Sequence, residues 1–152
     1  MKAKSTLLAD GIKAALQGIR IDAGYLTDLG LSVRRGFYAH ILKDSKTVFP
    51  AVVIHPGSET PQEFDRGGTK GRVRIEVPIV IAVELSLDEE AYDTLQAAMA
   101  DVRRALLRAR DQLGQLGQGG SLEVTEAIPN LSDNSKFALG AMTAVMNIVE
   151  TY

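Results

Sequence analysis

Between Val73 and Leu85 every odd position is apolar, namely Val73, Ile75, Val77, Ile79, Ile81, Val83 and Leu85. Most even positions from Arg72 to Glu84 are charged or proline. Strict period two predicts a strand with one buried face. At about 3.3 Å per residue the run would span ~43 Å, against a radius of gyration near ~15 Å for a domain of this size. The strand therefore has to bend or project beyond the body. Pro78, on the polar face, predicts an edge strand or a bulge at that point. A second pattern follows. Tyr92, Leu95, Met99, Val102, Leu106, Ala109 and Leu113 recur in alternating steps of three and four, the mark of an amphipathic helix with a narrow apolar stripe. Ser86-Leu-Asp-Glu89 has capping-box spacing, with Asp88 as a competing cap, and Gly114 suits the position just past the end. Glu89, Glu90 and Asp93 near the start and Arg103, Arg104, Arg108 and Arg110 towards the end complement the helix dipole.

The flanking patterns are shorter. Leu8, Ile12, Ala15, Leu16 and Ile19 predict a helix over about 4–18, with Gly18 at its end. Turn-rich sequence at Asp22–Tyr25 and Asp28–Gly30 precedes β-like runs near 31–38 and 51–55, with Pro50 at the start of the second. Residues 56–71, PGSETPQEFDRGGTKG, read as a long polar loop between strands whose one apolar anchor is Phe64. After a flexible connection at 115–120, a short strand is expected near 122–127, then a loop over 129–135. The run 137–152 is apolar on both faces from Ala141 to Val149, which predicts a central strand. The expected fold is a single α/β (α+β) domain over 1–152, with a mixed, mainly antiparallel sheet and two main helices packed against it.

Composition narrows the classes. The chain has 152 residues and no cysteine, so disulfide frameworks, thiolate nucleophiles and Cys-based metal sites are excluded. A formal charge of -2 argues against nucleic-acid binding through bulk charge. No apolar run reaches the roughly 18 residues of a membrane span, and the N-terminal stretch is too polar for a secretory signal.

Candidate chemistry is sparse. His40 and His55 lack the spacing of a ligand pair and read as strand-end histidines meeting solvent or a partner. Gly67-Gly-Thr-Lys-Gly71 lacks the spacing of a phosphate loop, and a strand rather than a helix follows it. No nucleophile elbow is present. Glu89 and Glu90 are explained by their place at a helix start. The arginines of the second helix read either as a solvated face interleaved with Asp101 and Asp111, or as a basic stripe meeting an acidic surface of another subunit. The polar strand face, Arg72, Arg74 and Glu76, has the same two readings. No catalytic, cofactor-binding or metal residues are assigned.

The order and spacing of Tyr25-Leu-Thr-Asp-Leu-Gly30, Phe49-Pro-Ala-Val-Val-Ile54, Val77-Pro-Ile-Val-Ile81, Asp101-Val-Arg103 and Val149-Glu-Thr-Tyr152 resemble the tail terminator (tail completion) proteins of long-tailed bacteriophages, of the phage lambda U type. The resemblance runs over nearly the full length. It implies a non-enzymatic virion protein without cofactors, forming a hexameric ring on the end of the tail tube. Such a ring stops tube growth and offers a surface to a head-tail connector or stopper protein. The implied location is the head-proximal end of the tail in the virion, and the host cytoplasm during assembly. DNA would pass through the ring without sequence-specific binding, and no membrane is involved. The expected subunit or tube contacts are Glu63, Phe64, Asp65, Arg66 and Lys70 in the loop and Arg72, Arg74 and Glu76 on the strand. Alternatives are another neck component and, from a different class, a small ligand-binding α/β domain.

Overall fold

The computed structural model describes residues 2–84, 88–117, 122–126, 130–131 and 136–151. Leu85, Ser86 and its capping role, most of the expected 129–135 loop and Tyr152 lie outside the described residues. The elements follow in chain order as α1 (Lys4–Gln17), β1 (Val33–Arg35), α2 (Tyr38–Lys43), β2 (Ala51–Ile54), β3 (Ser58–Phe64), β4 (Lys70–Glu84), α3 (Asp88–Arg108), α4 (Arg110–Gly114), β5 (Glu123–Glu126), β6 (Asn130–Leu131) and β7 (Phe137–Thr151). Short 3-10 turns at Ile21–Ala23 and Leu29–Leu31 shape the stretch between α1 and β1. The result is one small α+β domain with a mixed sheet, as expected from the sequence.

The sheet runs β1-β2-β4-β7-β5, with β3 also on β4 and β6 also on β7. Among the described residues only β1 and β2 pair in parallel; the other pairs are antiparallel. Its spine is the pair of 15-residue strands β4 and β7, in register from Lys70↔Thr151 to Glu84↔Phe137. The alternation read from the sequence becomes two physical faces. Val73, Ile75, Val77, Ile79, Ile81 and Val83 are buried, and their β7 partners Met142, Ala144, Met146 and Ile148 are buried beside them. Against this face pack Leu8, Ile12 and Leu16 of α1 and Leu95, Ala98, Val102 and Leu106 of α3, in one continuous core. The opposite face carries Arg72, Arg74, Glu76 and Glu84. Part of that face is covered: Phe49 stacks on Phe137 with ring centroids 5.0 Å apart, and Ile41 of α2 is buried.

Three expectations change. First, Pro78 does not lie on an edge strand, but the register slips by one residue beside it, residues 55–57 standing against Val77 and Pro78. It sits on β4 where one flank changes partner, β2 ending at the Ile54↔Ile79 pair and β3 beginning at Ser58↔Glu76. Its carbonyl accepts from the His55 N–H at 2.9 Å, so its ring nitrogen faces the same gap, and no bond to β7 is lost. Second, the apolar face of α3 is broader than the narrow stripe, because a helix lying on a sheet presents a wide arc. Ala91, Ala98 and Ala105 join it, whereas Tyr92 is 65% exposed. The helix also breaks at Ala109, and Gly114 closes α4 before a 3-10 turn at Gln115–Gly117. Third, residues 56–71 are not a loop. Seven of them form β3, antiparallel to β4, and the turn that remains is short. The run near 31–38 is likewise split into β1 and the start of α2.

Candidate assembly surface

The β3–β4 hairpin holds the loop residues expected to make contacts. β3 is exposed along its whole length, and Pro61 is tolerated there because the strand pairs on one side only. The register slips between Pro61 and Glu63, leaving Gln62 as the extra residue of a bulge. The turn is built on Asp65. Its carboxylate accepts from the Thr69 N–H at 2.8 Å, the Thr69 hydroxyl at 2.6 Å and the Lys70 N–H at 3.1 Å. The Thr69 hydroxyl, followed by the Lys70 amide, holds this carboxyl below the ordinary 3.8. Gly68 supplies the left-handed conformation, φ 66°, that closes the turn. Asp65 is therefore tied into its own hairpin turn while remaining exposed at the tip. Phe64, by contrast, is 61% exposed. Arg66 and Lys70 are exposed at the tip.

Glu63, Arg72, Arg74 and Glu76 share the face of the sheet turned away from α1 and α3. Arg74 Nε donates to Glu76 Oε1 at 2.9 Å, while Arg72 and Glu63 stand 3.9 Å apart. Both pairs are partly solvated, so each contributes little to stability. The structure brings these four side chains together, and sets Phe64 on the other face beside Gly71.

A second surface was hidden in the sequence. Asp101, read there as part of a solvated face, is 1% exposed. Its carboxylate accepts from the Leu26 N–H at 3.0 Å, the Thr27 N–H at 2.8 Å and the Thr27 hydroxyl at 2.7 Å. It thus ties the Tyr25–Gly30 turn to α3. Gly30 completes the fit: a β-carbon there would lie 2.5 Å from the Gln17 carbonyl oxygen and 2.6 Å from that of Ile19, and backbone cannot yield as a side chain does. On the surface of this junction, Arg104 and Arg108 each place a guanidinium 5.2 Å from the centre of the Tyr25 ring. Arg104 also donates to the Gly24 carbonyl at 2.7 Å. Leu26 and Leu107, next in sequence to Tyr25 and Arg108, are 64% and 54% exposed. The signal available in the sequence was Asp101 beside Val102, a carboxylate on the apolar side of the helix.

A cavity of about 340 Å³ lies between Ser5, Thr6 and Ala9 of α1 and the segment from Ile54 to Gly57, with Arg35 and Gly36 at its side. Arg35 is bridged to Asp10 at 2.9 Å. His55 lies between Phe37 and Tyr38, accepts from the Tyr38 N–H through Nε2 at 3.3 Å, and is lowered from its ordinary value by burial. Among the described residues no group of three or more His, Cys, Asp or Glu side chains is placed to hold a metal, and no helix is long and apolar enough to cross a membrane. No known protein family matches the chain, and no curated protein matches its sequence.

Proposed function

We propose that the chain is a ring-forming structural protein of the bacteriophage tail-terminator type, capping the tail tube and presenting the joining surface for the head. The observation that carries this reading is the hairpin. A strand exposed on every residue, tipped by an exposed phenylalanine, gives the domain little core and much surface. Such an element is suited to reaching a neighbour. The ordered motifs add support. Two of them, Tyr25–Gly30 and Asp101–Arg103, meet through the Asp101 carboxylate, so their spacing reflects one architectural joint. In this reading the chain is not an enzyme and needs no cofactor. Its partners are copies of itself in a hexameric ring, the tail tube protein, and a connector or stopper protein.

Imaging of the purified protein alone and with polymerising tail tubes tests the reading. Rings with a central hole that arrest tubes at the added end are expected. Compact monomers or dimers that leave tube growth unchanged would refute it. The cavity beside Arg35 and His55 favours the second reading, a small ligand-binding domain, which that outcome would promote.

A further inference from the structure

On the helix side of the sheet, β3 presents Glu59, Pro61 and Phe64, whose β4 partners are Ile75, Val73 and Gly71. Ile75 and Val73 are buried, but all three β3 side chains are exposed. Among the described residues Glu59 meets no cation, and neither Arg104 nor Arg108 meets a carboxylate. A strand face with one carboxylate and one aromatic, and two arginines that lack a carboxylate partner although they stack on Tyr25, are thus both present within one chain, with Leu26 and Leu107 exposed. They match each other in sign and in polarity.

We infer that the β3 face of one subunit docks on the Tyr25–Arg104–Arg108 patch of a second copy, with Glu59 facing the guanidiniums and Phe64 covering Leu26 and Leu107. Donor and acceptor are different surfaces, so the contact is head-to-tail, and a head-to-tail contact closes into a ring when its rotation permits. A two-fold dimer would need both contacts to form at once, each subunit's strand face on the other's patch. The inference rests on the ring reading above and deepens it by assigning the joint between subunits.

Charge exchange tests it in the full chain, with mass measured in solution. Glu59→Arg alone should shift the protein from ring to monomer, because its strand then sets a cation against both guanidiniums. Arg108→Glu alone should do so because Glu59 then meets a carboxylate in place of one of them. Mixed in equal amounts, the two variants should restore rings in which they alternate, since each arm again meets an opposite patch. Phe64→Ala and Leu107→Ala truncate exposed side chains and provide a route that leaves the Tyr25 stack untouched. Each should weaken assembly by about tenfold or more with an unchanged melting temperature. Rings formed by either charge variant alone, or no rings on mixing two folded variants, would overturn the joint while leaving the ring reading in place. If Arg108→Glu melts early, undiminished assembly of Phe64→Ala and Leu107→Ala overturns the joint. A wild-type chain that stays monomeric would overturn both.

Discussion

Asp101 shows how much one side chain organises. A carboxylate buried in a helix face is costly unless its oxygens are hydrogen-bonded, and here the Leu26 and Thr27 amides and the Thr27 hydroxyl do so. The same bonds satisfy backbone amides of a turn that has no other secondary structure to pair with. Asp101→Ala should destabilise the fold by about 3 kcal/mol, because it strands buried donors, and Asp101→Asn by less, because one oxygen remains. Denaturant unfolding checks the order. Both variants should also loosen Tyr25 from the arginines, which the intrinsic fluorescence of its ring reports. An Asp101→Ala chain as stable as the wild type would mean that the turn is held by something else.

Among the elements, the β3–β4 hairpin behaves unlike the rest. Its strand has no buried face, so it is held by backbone pairing to β4 and by the Asp65 turn. Because hydrogen bonds hold the Asp65 carboxyl below its ordinary 3.8, that turn is stabilised in full above this value. The contribution is lost as pH falls through the lower, folded value. Protection of the Thr69 and Lys70 amides, relative to their intrinsic exchange, should accordingly hold at neutral pH and fall only in strong acid, ahead of global unfolding. Asp65→Asn should remove that protection at every pH. Protection that ignores the substitution would show that the turn needs no carboxylate. The hairpin also cannot be cut back as a passive insertion, since removing β3 would bare the flank of β4 over the register from Gly71 to Glu76.

At the scale of the whole molecule, the helix layer and the sheet share one core, and Leu106 stands in it without exposed surface. Leu106→Ala should cost about 2–5 kcal/mol, and should do so in one cooperative transition because both layers lose contacts together. A loss below about 1 kcal/mol in thermal or denaturant unfolding would place the helix stripe outside the domain's own core. The opposite side of the molecule follows different rules. Its charges are partly solvated and weakly paired, so they influence which surfaces approach one another more than they influence stability.

What the sequence determined by itself is what hydrophobic periodicity can encode. β4, β7, α1 and α3 each bury one face or both, and burial leaves a period in the chain that identifies the element and its inward side. Even here the pattern named Tyr92 as core and missed the alanines, because the width of a helix's buried arc depends on the surface it meets. The tertiary structure decided the rest. β3 exposes both faces, so no alternation marks it, and only its pairing with β4 makes it a strand. Pro78 is tolerated in an inner strand because two partners part company beside it. Phe64 and the α3 arginines were legible as contact candidates, being an aromatic and a run of cations without an evident core role. Tyr25 and Leu26 were not, and Asp101 only as a carboxylate on the apolar side of α3, since residues some seventy-five positions apart come together only through hydrogen bonds between a turn and a helix. Such bonds depend on geometry in space and leave no period along the chain.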